Sequence, residues 1–337
     1  MQSQNSWLLL LVLIWWQPVQ GQTTQPAASA GGASATFVGP VPQIFSPGVI
    51  SGPANDGSPT FSPDGNTLYF TRSTAGWGVI LESHKSHGEW SEPDVAPFSG
   101  EWSDSSPGMA PDGSYLVFVS LRPKEMPRAG EKAVGRRANL YRTNRVGSGW
   151  SEPEKLPDAV NIGDSIWKPS IAADGTIYFV SIDAKGGKRL YFSQYKDGAY
   201  LQAQPLSFSD GSTSDVDPEI APDGSFLVFC SSARLKDDPK DHMFIALKNG
   251  NDWGPVTVIR YQGDEAGGYS TDDEPHLGPD HRTVYFSSDR AVPVEFPRTR
   301  AQAREDLKRL ELWDNSNSNA WFMSLTPWLE AGKSEKK

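Results

Sequence analysis

One motif recurs five times along this chain and constrains its fold more than any other feature. A proline is followed five residues later by an aspartate, usually then a glycine, and then by a run of β-branched and aromatic residues. Asp-Gly supplies the left-handed backbone that a tight turn between two strands requires. In the fifth copy His281 takes the place of the glycine. Each copy predicts a β-hairpin of two strands, a and b, and the copies span residues 59–64, 107–112, 169–174, 218–223 and 275–280.

Each repeat continues with two further segments of strand character. A third strand, c, follows the hairpin, and a fourth strand, d, begins with an aromatic residue after a polar turn. Four antiparallel strands recurring every 48 to 62 residues are typical of propeller blades. The chain is therefore predicted to be an all-β protein, a β-propeller of five four-stranded blades, with six blades as the alternative. The aromatic residues that open strand d are Trp90, Trp150, Tyr200 and Trp253.

The two ends of the repeat region predict how the ring closes. After the fifth strand c, the chain from Thr326 onward is too short for a convincing strand d, whereas residues 37–46 resemble one. We therefore expect the N-terminal segment to complete the last blade. Two insertions interrupt the pattern, a basic one at 123–137 and one at 298–312 that favours a short helix after Pro297.

The first 21 residues carry no charge and include an apolar run at 7–16, which indicates a secretory signal cleaved after Gly21. An uncleaved membrane anchor is the alternative. The predicted organisation is a signal peptide at 1–21, a flexible linker at 22–36, the propeller at 37–329 and a charged C-terminal tail at 330–337. We expect a periplasmic or secreted monomer with no membrane span in the mature chain.

Composition excludes two classes of partner. The formal charge is −10, so no broad positive field is present to attract nucleic acid or anionic lipid. Cys230 is the only cysteine, so no intrachain disulfide can form, and its apolar surroundings in the sequence predict a small buried side chain.

A family resemblance rests on the repeat itself. The run Pro-x-x-x-Pro-Asp-Gly at 59–65 and at 218–224, together with Ser-Ser-Asp-Arg at 287–290, resembles the WD40-like repeat of TolB-type propellers. The resemblance covers nearly the whole mature chain and implies the propeller fold. It implies little about function, because such propellers serve as periplasmic binding modules, as gating domains of peptidases and as separate exported proteins.

Acidic residues precede strand a in every repeat, and an arginine closes strand b in four of them. Strand a is innermost in a propeller, so we expect the acids to surround the channel mouth. In one interpretation, arginine and aspartate of neighbouring blades form bidentate pairs that cap strand ends. In the other, the acids bind a polar ligand or a calcium ion, with no other cofactor expected. The residues are Asp56, Asp104, Asp164, Asp215, Asp217 and Asp272, with Arg72, Arg122, Arg234 and Arg290.

Three aromatic residues, Trp102, Trp167 and Tyr269, lie beside these acids. They would suit a sugar or peptide groove, and the alternative is that their rings pack between blades. The leading hypothesis is an exported, non-catalytic propeller that binds a protein or a glycan at its central mouth, with no catalytic residues. The alternative is a glycoside hydrolase that uses inner-strand carboxylates such as Asp56, Asp104 and Asp164.

Overall fold

The computed structural model describes residues 39–123, 138–163, 165–236, 238, 240–262 and 271–334. The predicted signal peptide and linker lie outside these residues, as does most of the basic insertion at 123–137. No helix among the described residues is long and apolar enough to cross a membrane.

Five antiparallel sheets of the described chain form the blades, one for each repeat, so the prediction of a five-bladed β-propeller is confirmed. Blade 1 contains β2 (Asn55–Phe61), β3 (Thr67–Ser73), β4 (Gly78–Ser86), β5 (Glu89–Trp90) and β6 (Asp94–Val95). Blade 2 contains β7 (Asp104–Met109), β8 (Tyr115–Ser120), β9 (Asn139–Val146), β10 (Gly149–Trp150) and β11 (Glu154–Lys155). Blade 3 contains β12 (Ile166–Ile171), β13 (Ile177–Ile182), β14 (Lys188–Ser193) and β17 (Gln204–Pro205), with a small ladder of β15 (Tyr195–Lys196) and β16 (Ala199–Tyr200).

Blade 4 contains β18 (Asp215–Ile220), β19 (Phe226–Ser231), β20 (His242–Asn249) and β21 (Asp252–Val258). Blade 5 contains β22 (Asp272–Leu277), β23 (Thr283–Ser288), β24 (Asn319–Ser324) and, from the other end of the chain, β1 (Gln43–Ile44). Two helices accompany blade 5, α1 (Arg300–Leu312) between β23 and β24, and α2 (Thr326–Ser334) after β24.

The N-terminal strand closes the ring, as the sequence predicted. Gln43 and Ile44 of β1 pair with Phe322 and Trp321 of β24. Phe45, the next residue, donates its backbone N–H to Ala320 O at 2.8 Å and packs its ring against aromatic residues of blades 5 and 1. The last blade is therefore assembled from both ends of the described chain.

The Pro-Asp-Gly turns form as the motif requires. In blade 1, Asp64 accepts a hydrogen bond from the Asn66 backbone at 3.0 Å, and Gly65 has a φ of +70°. In blade 5, His281 occupies the glycine position with a φ of +53°. A non-glycine residue there has a left-handed backbone and carries a strain of about 1 kcal/mol or more. The turn tolerates it because Asp280 binds both the Arg282 and the Thr283 backbone N–H.

The core lies between neighbouring sheets. Every residue of β8 and of β19 is buried, so these strands b are covered on both faces. This explains their continuous apolar runs, which would alternate with polar residues if one face met water. Cys230 in β19 is fully buried, as predicted.

The insertion at 298–312 forms the predicted helix. Thr299 caps α1 by accepting the Gln302 backbone N–H, and the Gln302 side chain accepts the Thr299 N–H in return, which is a capping box. None of the residues of α1 is buried. After β24 the helix α2 extends to Ser334, into the segment 330–337 that composition marked as a tail.

Because β1 closes the ring, we predict that a substitution at Phe45 will lower the stability of the protein by a large amount. Replacing Phe45 with alanine removes ring contacts to Phe61, Tyr285 and Phe322, and we expect the free energy of unfolding to fall by about 3–5 kcal/mol. Equilibrium urea denaturation measures the change. Val41→Ala, at a residue 56% exposed, is the control and should change stability by less than about 0.5 kcal/mol. Equal stability of the two variants would contradict the closure.

Candidate functional site at the channel mouth

Four of the predicted acidic residues are buried at the start of strand a, and each is bound to an arginine. In each pair the two residues belong to the same blade, so the prediction that neighbouring blades supply the partners is wrong. The reason is the hairpin register, which places the start of strand a beside the end of strand b, with Asp56 directly opposite Arg72. The pairs are Asp56 with Arg72 (2.7 Å), Asp104 with Arg122 (3.3 Å), Asp215 with Arg234 (2.7 Å) and Asp272 with Arg290 (2.6 Å).

Three of these arginines also bind the segment that arrives from the preceding blade. Arg122 donates to Phe98 O, Arg234 to Phe208 O, both at 2.8 Å, and Arg290 to the Tyr261 hydroxyl at 2.9 Å. In blade 1 the carboxylate makes the contact instead, since Asp56 accepts the Gly52 N–H at 2.8 Å. We call each Asp–Arg pair with this contact a latch, because it joins one blade to the next.

The contacts within each latch offset the free-energy cost of burying the aspartate and arginine charges. Burial raises the pKa of Asp56 and of Asp104, while hydrogen bonds and the nearby arginine charge act in the opposite direction. Each arginine also lies over the phenylalanine of its own strand b, for example Arg234 at 5.2 Å from the Phe229 ring centre. Ion pairs, hydrogen bonds and ring contacts of this kind fit a structural role for the latches.

Blade 3 has no such latch among its described residues. Asp183 stands where the other blades have arginine, and it accepts backbone N–H bonds from Lys185 and Gly187 of its own loop. Arg189 donates to Ser209 O at 2.6 Å, on the segment that leads to blade 4. The segment arriving from blade 2 is bound by the Ser181 hydroxyl, which lies 3.2 Å from both Ile162 O and Ser165 O. Asp164 and Tyr269 lie outside the described residues. Trp102 and Trp167 are partly buried, and Trp167 packs against two of the apolar clusters between blades.

The polar and charged side chains in the channel come from a different position, the residue before the repeat proline. Each strand a has a β-bulge there, and the residue before the proline has a φ between +49° and +55°. The proline has no N–H to offer, so a bulge is where a strand accommodates it. The five bulge residues are Ser58, Ser106, Lys168, Asp217 and Glu274.

Lys168 shows that the bulge side chains point toward the channel axis. Its Nζ donates to Pro275 O at 3.2 Å and meets His276 Nε2, although blades 3 and 5 are not neighbours in the ring. Only a side chain that crosses the channel can make these contacts. Lys168 is fully buried, and burial lowers the pKa of its amine, against the opposing influence of Glu219, Glu274 and Asp217.

His276 extends this network to blade 4. Its Nδ1 lies 3.5 Å from Glu219 Oε2, and Glu219 Oε1 accepts the Leu277 N–H at 2.8 Å. Burial, and then the charge of Lys168, hold the pKa of His276 well below its ordinary value. A neutral imidazole fits both contacts, with Nε2 accepting from the Lys168 amine and the Nδ1 proton facing Glu219. We call Lys168, Glu219 and His276 the channel network.

Three carboxylates lie on the mouth side of this network. Asp217 Oδ2 accepts the Glu274 N–H at 3.2 Å, and Glu274 Oε2 accepts from the Ser287 hydroxyl at 2.9 Å. Burial, and then the charge of Glu274, raise the pKa of Asp217 to about 7. The same two causes raise the pKa of Asp273 well above its ordinary value. Within the described chain, Asp273 makes no side-chain hydrogen bond and no ion pair.

Asp273 and Glu274 line a pocket of about 440 Å³ at the mouth, among blades 5, 1 and 2. Serine hydroxyls, including that of Ser106, contribute to its wall, and Trp77 on the rim is 55% exposed. Glu219 and His276 instead line a smaller cavity, of about 170 Å³, at the other end of the channel. The channel network therefore separates two polar cavities.

The described residues contain no group of three or more His, Cys, Asp or Glu side chains arranged to hold a metal ion. Calcium binding by the acids before strand a therefore gains no support from this part of the chain.

Sequence reasoning missed Lys168 and His276, and it placed Glu274 only among the acids that precede strand a. A signal was present, because the residue before the repeat proline is serine in the first two repeats and then lysine, aspartate and glutamate. Comparing the repeats for positions that differ would have marked this one.

The latches predict a large loss of stability when one partner is removed. Arg234→Met keeps the apolar stem but leaves the fully buried Asp215 carboxylate without its cation, and we expect a loss of about 3–5 kcal/mol in urea denaturation. Arg304→Met on the exposed side of α1 is the matched control and should change stability by less than about 0.5 kcal/mol. A loss below about 1 kcal/mol for Arg234→Met would contradict the latch.

The raised pKa of Asp217 predicts a pH dependence of stability. Between its ordinary value of 3.8 and about 7, the folded chain binds more protons at this residue than the unfolded chain does, so its contribution to stability falls as pH rises through this range. Asp217→Asn keeps an oxygen acceptor for the Glu274 N–H and removes the titration. We expect a flatter stability profile and a gain at pH 8 of at most about 4 kcal/mol, since each pKa unit corresponds to about 1.4 kcal/mol. Asp252→Asn, at an exposed residue, should leave the profile unchanged, and an equally steep profile in Asp217→Asn would refute the assignment.

No protein-family model matches the chain, and no curated protein matches it. Solved structures do match the chain. A protein assigned as TolB from Agrobacterium tumefaciens is 18% identical with a TM-score of 0.46, and the match covers 70% of each chain. TolB from Acinetobacter baumannii is 16% identical with a TM-score of 0.45, over 69% of this chain and 49% of that one. A protein of unknown function from Dyadobacter fermentans is 16% identical with a TM-score of 0.42, over 73% and 93% of the two chains.

These likenesses are too distant to transfer a function. The repeat motif, the five sheets and the closure by β1 are features of the chain itself. On that basis the chain is a five-bladed β-propeller, and its repeat resembles that of TolB-type propellers.

Proposed function

We propose that this chain is an exported, non-catalytic binding propeller whose mouth takes a basic segment of a partner protein. The observation that carries the proposal is Asp273, a carboxylate that lines the mouth pocket beside Glu274 and, within the described chain, is bound to no cation. A lysine or arginine side chain of a partner would supply the missing positive charge.

The raised pKa values of Asp217 and Asp273 support this choice of ligand. Their carboxylates repel one another and Glu274 in a poorly hydrated site, so an incoming cation would relieve that repulsion. The net charge of −10 would also favour the approach of a basic segment. The exposed Trp77 ring on the rim offers a face for a cation or for the apolar stem of a lysine.

Export rests on the uncharged apolar segment near the N-terminus. The partner is then a protein of the periplasm or of the cell exterior. A periplasmic or secreted location also agrees with a chain whose single cysteine is buried and which relies on packing.

Fluorescence anisotropy with a labelled Ala-Lys-Ala-Lys-Ala peptide tests the proposal. We expect Asp273→Asn to weaken binding at least about tenfold, which corresponds to about 1.4 kcal/mol for one lost charge contact. Affinity should also fall at high salt, and it should fall as pH drops from 8 to 6 because Asp217 takes up a proton. Asp252→Asn removes one exposed charge on the outer strand of blade 4 and should bind as the parent does.

A matched peptide with glutamate in place of lysine measures charge selectivity. Equal affinity for the two peptides, or unchanged binding by Asp273→Asn, would rule out the basic-segment proposal.

A glycoside hydrolase is the second candidate. Asp56 and Asp104 are held in ion pairs with arginine, which removes two of its three proposed carboxylates from consideration. Asp217, with a pKa of about 7, and Asp273, which forms no ion pair with the described residues, are the inner carboxylates that could act as acid and base. Hydrolysis of aryl glycosides by the parent protein that disappears in Asp217→Asn would favour the enzyme over the binding module.

A further inference from the structure

Another pocket, of about 260 Å³, lies between blades 2 and 3, apart from the two channel cavities. It is at the end of strand a opposite the latches. Its walls come from the two Pro-Asp-Gly type turns of these blades and from the β15–β16 hairpin. Pockets for drug-sized ligands usually measure about 300–1,000 Å³. The space therefore suits a ligand about the size of one sugar ring.

Three tyrosine rings line this pocket, which is an unusual concentration for one turn region. Tyr195 and Tyr200 lie with their ring centres 4.9 Å apart, and Tyr195 is 43% exposed. Tyr115 is buried, with the Arg142 guanidinium 3.7 Å from its ring centre. Exposed aromatic faces attract polarised C–H groups of a flat ligand and exclude water from them.

Hydrogen-bonding groups stand between these rings. Asp112 and Asp174 each use Oδ1 to cap their own turn, which leaves Oδ2 with no hydrogen bond to the described residues. Arg142 commits its Nε to Asn144 and has further N–H groups. The Tyr200 hydroxyl is buried and faces Tyr115 and Arg142, so it belongs to the wall of the pocket. Donors and acceptors therefore lie side by side around apolar faces.

The repeats differ at this junction. At the junction of blades 1 and 2, Trp150 donates from Nε1 to the Tyr69 hydroxyl at 3.1 Å, and their rings pack together. The corresponding positions at the junction of blades 2 and 3 hold the smaller Tyr200 and Val117. The junction of blades 3 and 4 keeps the larger pair, Trp253 and Tyr178, and these line a separate pocket of about 690 Å³. The pocket between blades 2 and 3 is therefore distinguished by its lining residues and not by the size of this pair.

We propose that this pocket binds one ring of a neutral saccharide. Asp112 and Asp174 flank the single Arg142, so the pocket favours neither a strong anion nor a strong cation. A neutral ring with several hydroxyl groups would stack its C–H face on Tyr195 and exchange hydrogen bonds with the two aspartates and Arg142. The proposal is independent of the basic-segment site, which lies at the mouth.

Saturation-transfer NMR and calorimetric titration with N-acetylglucosamine, glucose and galactose test the proposal. We expect at least one sugar to bind with a Kd of about 1–10 mM, as befits a small ligand with few contacts. Asp112→Asn should weaken binding at least tenfold. Asp64→Asn is the matched control, because Asp64 caps the equivalent turn of blade 1 and is remote from the pocket.

Tyr195→Ala provides a second test that does not remove a polar capping group. It removes the exposed ring on which the sugar would stack, and we expect it to weaken sugar binding at least tenfold while the protein stays folded by circular dichroism. No binding of any of the three sugars at about 10 mM would overturn the proposal. Binding that survives both variants, or that is lost in Asp273→Asn alone, would place the sugar elsewhere and would also overturn it.

Discussion

The crowding of five strands around one axis is the constraint on which the rest of this propeller depends. Each strand a carries a proline that cannot donate a ladder hydrogen bond, and the bulge at that proline holds the preceding residue at a positive φ. Strain of about 1–3 kcal/mol per bulge is acceptable because the surrounding blades hold it in place. The residue after the proline then bonds the next blade, as Thr60 does with the Met109 N–H at 3.1 Å and Ser170 with the Ile220 N–H at 2.9 Å.

The same bulge explains why this ring has a polar centre. Because the bulge residue points along the channel radius, its identity decides what fills the axis. Ser58 and Ser106 keep one side small, whereas Lys168, Asp217 and Glu274 bring charges into the space between blades 3, 4 and 5. Burial without full pairing then shifts the pKa values of Asp217 and Asp273, which is common at functional sites.

The sequence was sufficient to predict the features that repeat. The Pro-Asp-Gly spacing predicted the hairpins, the length of each repeat predicted four strands, and the missing last strand predicted closure by residues near Ile44. The Asp–Arg pairs were also predicted, but their partners were assigned to neighbouring blades, because the register of each hairpin could not be read from spacing alone. The contact of Lys168 with His276 joins residues more than a hundred positions apart across the axis, and no local pattern reports such a contact. The sequence shows that the repeats differ at the bulge residue and at Tyr200. The structural role of these differences depends on which blades face each other, and the sequence does not show that.

Closure by β1 also bears on the order of events during synthesis. The strand at Gln43–Ile44 is made first, but its partner at Asn319–Ser324 is made almost last, so the final blade cannot form until nearly the whole chain exists. Contacts of such large sequence separation slow folding and leave unpaired strand edges exposed in the meantime. For the export proposed above, this delay would keep the ring open for as long as the C-terminal strand has not been made.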